Sequence, residues 1–184
     1  KGCSPYKNVV VNDLVLDKFG QKMHKSRGNA IAPMPILEEY GADATRFFML
    51  YSSPVWTPLK FDCDGIREIN SKFFNTLRNT YNFFSMYANT DGIDPREYNV
   101  SYDCLEEIDK WLLSKYNGLV KNVDAAMDDY DLNRVVKYLA SFVSDDLSNW
   151  YIRRNRKRFW ASLVDDSKKG VYQTTYQVLV GVCK

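Results

Sequence analysis

From Ile66 onward, apolar residues recur at intervals of three and four, which confines most of the chain to long amphipathic helices. Ile66, Ile69, Phe73, Leu77, Tyr81, Phe84 and Ala88 lie on one helix face, and the tract Asn89 to Gly92 with Pro95 ends it. Leu105, Ile108, Leu112, Leu119, Val123 and Ala126 trace a second helix. Asp131 opens a third, carrying Leu132, Val135, Val136, Leu139, Phe142, Val143, Leu147 and Trp150. A fourth runs from about Val171 to the end. Four antiparallel helices with moderate connectors predict a bundle.

Residues 1–60 read differently. Tyr6 to Asp17, with Val9 to Val11 and Leu14 to Leu16, predicts a strand buried on both faces. A turn at Asp17 to Gly20 and a polar loop from Gln21 to Asn29 follow, then short helices at Ile36–Tyr40 and Asp43–Tyr51 and a connector over Ser52–Asp62. The expected organisation is a short α/β tail over 1–60 and an all-α region over 61–184. One or two strands make a poor domain alone. The first residue is Lys1, and Val178 to Lys184 stops inside an apolar run. The chain is therefore expected to be a piece of a longer protein.

Other features exclude function classes. No apolar run reaches membrane-spanning length, and no secretory signal opens the chain. Cys3, Cys63, Cys104 and Cys183 are far apart, with no CxxC pair, so no zinc site and a reducing compartment are expected. The net charge of +2 is unevenly spread: about +3 over 1–60, −6 over 61–130 and +5 over 131–184. Two basic ends allow local binding of a polyanion.

The most informative stretch is Lys22-Met23-His24-Lys25-Ser26-Arg27-Gly28-Asn29. Its cations can neutralise phosphate oxygens, and Gly28 permits a tight turn. It is not a P-loop, because His24 stands where that motif needs glycine. Composition alone reads it as a solvated basic turn.

With its neighbours, however, the stretch resembles the KMSKS signature of class I aminoacyl-tRNA synthetases. Tyr40 to Arg46, Trp56 with Leu59 to Phe61, Lys72 to Leu77 and Leu147 to Trp160 resemble the family in order, and the last block is most similar to its isoleucyl branch. The resemblance implies a mainly α fold: a helical anticodon-binding bundle preceded by the end of a Rossmann-type catalytic domain. It implies ATP, as its magnesium complex, held by Lys22, Met23, His24, Lys25 and Ser26. Lys22 and Lys25 would be catalytic, embracing the phosphates as charge builds in the transition state. Met23 would seat the loop on an apolar wall, and Asn29 would order its exit. His24 departs from the family's usual serine.

The family's other signature needs two histidines, and this chain has one. The amino-acid pocket is therefore expected upstream, and this stretch alone is expected to activate no amino acid. The implied parent is a monomeric cytoplasmic enzyme that joins isoleucine to tRNA. The alternatives are a valyl- or leucyl-type synthetase, or a non-catalytic tRNA-binding module.

The third helix raises a further expectation. At about 100° per residue, Arg153, Arg154 and Lys157 fall on the same stripe as Leu132 and Trp150, with Ile152 and Phe159 nearly opposite. The face that packs the bundle would thus turn cationic in its last two turns, and a regular helix would project past the bundle there, with its basic side facing something other than hydrocarbon. Five cations lie within 153–158 without an acid. They could pair with Asp124, Asp128 or Asp129 at a helix end. The resemblance instead favours tRNA contact by Trp150, Arg153, Arg154, Arg156, Lys157 and Arg158, with aromatics as stacking surfaces.

Overall fold

A computed structural model of the chain describes residues 2–184, mainly helical with one small sheet. They form two compact units. The first takes the chain to Asn70 and includes Ala125–Lys137; the second holds Ser71–Asp124 and Tyr138–Lys184.

In the first unit, β1 (Val15–Leu16) and β2 (Leu59–Lys60) pair in parallel, Val15 opposite Leu59. Leu59 N–H donates to Leu14 O at 3.0 Å and Phe61 N–H to Leu16 O at 2.9 Å. The long buried strand expected over Tyr6–Asp17 does not form. Val9, Val10, Val11 and Leu14 are exposed, because among the described residues only β2 offers them a ladder, and it reaches two positions. The connector over 52–62 was expected to be irregular, yet it supplies that β2 partner.

Three helices cover the sheet: α1 (Pro33–Tyr40), α2 (Ala42–Ser52) and α3 (Cys63–Ile69). Gly41, at φ 84°, separates α1 from α2 in a backbone region that favours glycine. Phe48 and Phe61 meet edge to face at 5.7 Å over the buried Ile36, Ala44 and Ile66. Gly65 lets α3 approach this far, since a Cβ there would lie 2.3 Å from Phe48 Cε2. Asn133 closes α2 from outside: its side-chain amide donates to Leu50 O at 2.7 Å and Tyr51 O at 2.8 Å, two carbonyls at the end of that helix.

The second unit packs α4 (Asn75–Asp91), α7 (Arg153–Trp160), α8 (Asp166–Cys183) and α5 (Glu107–Asp128) as far as Asp124, while α6 (Leu132–Ser141) belongs to the first unit up to Lys137 and to the second from Tyr138. Gly92, at φ 63°, caps α4, and the Asp165 side chain accepts from Lys168 N–H at the start of α8. Phe84, Phe159 and Tyr172 form its aromatic centre, with Phe159 and Tyr172 edge-on at 5.0 Å.

Two stretches are π-helical: Asn70–Phe74, which leads into α4, and Phe142–Ile152, which joins α6 to α7. Each π turn takes about one residue more than an α turn, so eleven such residues lag by roughly half a turn. This corrects the expected orientation of the basic block. Ile152 and Phe159 are buried at 5% and 1% exposure, while Arg153, Arg154 and Lys157 lie outside. On α4 Phe84 and Ala88 are buried as the spacing predicts, whereas Thr80 is buried in place of the expected Tyr81, which is exposed.

A buried polar cluster crosses the unit. The Arg158 guanidinium forks onto the fully buried Asp109, with both N–H···O bonds at 2.8 Å. Tyr151 Oη donates to the same carboxylate at 2.6 Å, and Arg158 also reaches Ser167 and Glu106. Burial, then the adjacent Asp109 charge, pushes the Tyr151 phenol well above its ordinary range, so it remains a donor.

Candidate functional site

The cationic loop is built outward from Asp17. Its Oδ1 accepts from Phe19 N–H at 3.0 Å and Gln21 N–H at 2.8 Å, folding the chain back after β1. An antiparallel bridge between Leu16 and Lys22 fixes where the loop leaves the strand. Asn29 then clasps both ends. Its amide donates to Asp17 Oδ2 at 2.9 Å and Lys22 O at 3.2 Å, while its oxygen accepts from His24 N–H at 2.9 Å. Lys25–Arg27 form one 3₁₀ turn, closed by Gly28 at φ 70°. Met23 is half-buried and turns toward the apolar side chains of Val15, Ile31, Ile36 and Phe61. Lys22, His24, Lys25 and Ser26 are exposed on the outer surface.

The site residue that sequence reading missed is Asp17, taken there only as part of a turn. Aspartate followed by a residue pair and glycine is an Asx-turn signal, and it was the available clue. The amide of Asn29, with the backbone donors, holds the Asp17 carboxyl below its ordinary range. Its hold on the loop is therefore complete above the normal carboxylate pKa and is lost as pH falls through the lowered value. Asp17→Asn places an amide where Asn29 needs an acceptor. The expected result is faster tryptic cleavage at Lys22 and Lys25 at neutral pH than in the unaltered protein. Unchanged cleavage would remove Asp17 from this role.

The basic helix is the second candidate. Arg153, Arg154, Arg156 and Lys157 are exposed, and among the described residues none is in an ion pair. The pairing considered with Asp124, Asp128 or Asp129 is not made. The Arg154 guanidinium carbon sits 3.7 Å from the ring centre of Trp150, itself 44% exposed. Arg158 does not join them. Its side chain is 13% exposed and engaged with Asp109, so its assignment to RNA contact is corrected to a structural one. The phase shift explains why: Arg158 turns inward as its neighbours turn out.

A parallel strand pair leading into a cationic loop, followed by a helical unit with an exposed basic block, agrees with the comparisons. Residues 1–62 match the family "tRNA synthetases class I (I, L, M and V)", and residues 109–184 match "Anticodon-binding domain of tRNA ligase". The chain belongs to the class I tRNA synthetases. Within that class its relatives include isoleucine–tRNA ligases. It is 46% identical over its full length to the one from Porphyromonas gingivalis, and 48% identical over 97% of its length to the one from Bacteroides fragilis. It spans 16% of the length of each. In fold it is similar to the Mycobacterium tuberculosis methionyl-tRNA synthetase in complex with methionyl-adenylate, at TM-score 0.69, 23% identity, 92% of this chain and 33% of that one. It is also similar to the leucyl enzyme of an Agrobacterium radiobacter K84 complex with tRNA, at TM-score 0.65, 20% identity, 90% of this chain and 19% of that one.

Proposed function

We propose that this chain is the part of an isoleucine–tRNA ligase that closes on ATP phosphates and holds tRNA. Residues 1–60 would be the end of the catalytic domain and residues 61–184 its helical anticodon-binding domain. The observation that carries the reading is the loop. Lys22, Lys25 and Ser26 stand exposed on a turn whose two ends are pinned through Asp17 and Asn29. A pinned base lets mobile ammonium groups reach phosphate oxygens without the loop being ordered at the moment of reaction.

The reaction assigned to the parent begins with the isoleucine carboxylate attacking the α-phosphate of ATP and expelling pyrophosphate. It ends with transfer of the acyl group to tRNA. Negative charge grows on the β- and γ-phosphate oxygens as the bond breaks. Lys25 and Lys22 are assigned to meet that growing charge, and Ser26 to donate a hydrogen bond to it. Magnesium belongs to the ATP substrate complex; no three histidine, cysteine or acidic side chains converge among the described residues. Arg153, Arg154, Arg156, Lys157 and Trp150 are assigned to tRNA. Phosphate neutralisation by the four cations would make binding fall steeply with salt.

The test is amino-acid-dependent ATP–pyrophosphate exchange by the full-length parent. Isoleucine is expected to support the highest kcat/KM. A higher value with valine or leucine would reassign the branch. Absence of exchange with every amino acid tested, alongside intact tRNA binding, would leave only the binding module.

A further inference from the structure

The small sheet of the first unit sets a third lysine in line with the cationic loop. Leu16 is bridged on one side by Lys22, antiparallel, and paired on the other with Lys60, parallel. Residues directly opposite one another across a ladder share a face, and successive residues alternate between faces. One face is the apolar one. Leu59 and Phe61 are buried there, and Met23 shares a cavity with Val15, Ile36 and Phe61. Lys22, Leu16 and Lys60 therefore form a row on the other face, with both lysines exposed. Two strand spacings, about 9–10 Å, separate the backbones of the two lysines.

Lys60 does not run straight out into water. Its stem crosses the turn that follows β1, where a Cβ on Gly20 would lie 3.2 Å from Lys60 Cε and 3.8 Å from its Nζ. Gly20, at φ 82°, stands two residues before Lys22. A lysine that only blunts a sheet edge has no need of this path. Among the described residues neither Lys22 nor Lys60 is in an ion pair. The carboxylate of the same turn, Asp17, has its oxygens committed to Phe19, Gln21 and Asn29. Two uncompensated ammonium groups thus stand on one open face, each on a flexible stem that can bend toward the other. Like charges held this way repel unless an anion lies between them. Lysine binds phosphate as a mobile point charge, whereas a planar carboxylate is better matched by the fork of arginine. The pair therefore suits a tetrahedral oxyanion.

We propose that Lys60 joins Lys22 in holding one phosphate group on the open face of the sheet. The proposal rests on the reading of the loop above and adds to it a residue outside the loop, on β2. Two sources can bring a phosphate to this face: the terminal phosphates of ATP, or a phosphodiester of bound tRNA. The chemistry is the same in both, N–H···O bonds from an ammonium to an oxyanion. Lys60 meets charge that is already present before reaction. That separates it from Lys25, which is assigned to charge that grows as pyrophosphate leaves.

The experiment uses the full-length parent and Lys60→Met, which keeps an unbranched stem over Gly20 and removes the charge. If ATP is the source, KM for ATP in isoleucine-dependent exchange should rise about tenfold with kcat little changed, as for one lost charge-assisted contact. If tRNA is the source, KM for ATP should hold, and the salt slope of tRNA binding should fall by about one. Lys60→Arg should restore most of the loss in either arm. Lys22→Met combined with Lys60→Met should depart from the product of the two single losses in that same readout, since both lysines hold one group. An unchanged KM together with an unchanged salt slope overturns the proposal, and so do independent, multiplicative losses. Exchange untouched by Lys25→Ala takes away the loop reading and this proposal with it. Exchange abolished by Lys25→Ala, with neither readout moved by Lys60→Met, removes Lys60 alone.

Discussion

Lys25→Ala in the full-length parent is expected to lower kcat for isoleucine-dependent ATP–pyrophosphate exchange by about 10²- to 10³-fold, the range for losing one preorganised transition-state donor. The side chain is exposed and packs against nothing that the fold depends on, so thermal stability should hold. KM for ATP should rise far less than kcat falls, since the charge Lys25 would meet develops mainly as pyrophosphate leaves. His24→Ser should change the rate only a few-fold, because His24 contributes its backbone N–H to the Asn29 clasp whatever side chain it carries. A loss below about tenfold for Lys25→Ala would take the loop out of the chemistry.

The second large effect concerns stability. Arg158→Met leaves the fully buried Asp109 without either forked hydrogen bond. Removing one partner of a buried ion pair costs about 3–5 kcal/mol, chiefly because the other charge stays behind. Urea denaturation should show the loss directly. Replacing both residues, Asp109→Leu with Arg158→Met, should recover a large part of it. An Arg158→Met variant as stable as the parent would return that arginine to the pool of RNA contacts.

These two residues also mark where sequence reading works and where it stops. The exposed basic turn could be read because identity and order carry that much: two lysines, a serine and a glycine in one polar stretch. Helix existence could be read as well, since Ile66, Phe84, Leu112 and Leu147 recur at helical intervals and are buried. Depth could not be read for the basic block, because the extrapolation assumed a constant turn. The π stretch at Phe142–Ile152 breaks that assumption, and no residue type in it announces the change. Asp17 escaped notice for a related reason, since its partner Asn29 is twelve residues away and only the folded loop brings them together. The strand over Tyr6–Asp17 was overextended because a continuous apolar run cannot say how many neighbours a strand will find.

The Phe142–Ile152 stretch carries one more implication, and it concerns heredity more than energy. It works for the helix as a reading frame works for a gene. Everything downstream keeps its meaning only while the count upstream is preserved. Deleting two residues there would leave the composition almost intact, yet it would carry Phe159 out to solvent and several arginines inward. Substitutions along the stretch should therefore be far better tolerated than insertions or deletions of equal size. Descendants of this sequence are free to vary exposed positions there such as Asp145 and Asn149, but not how many letters the stretch uses.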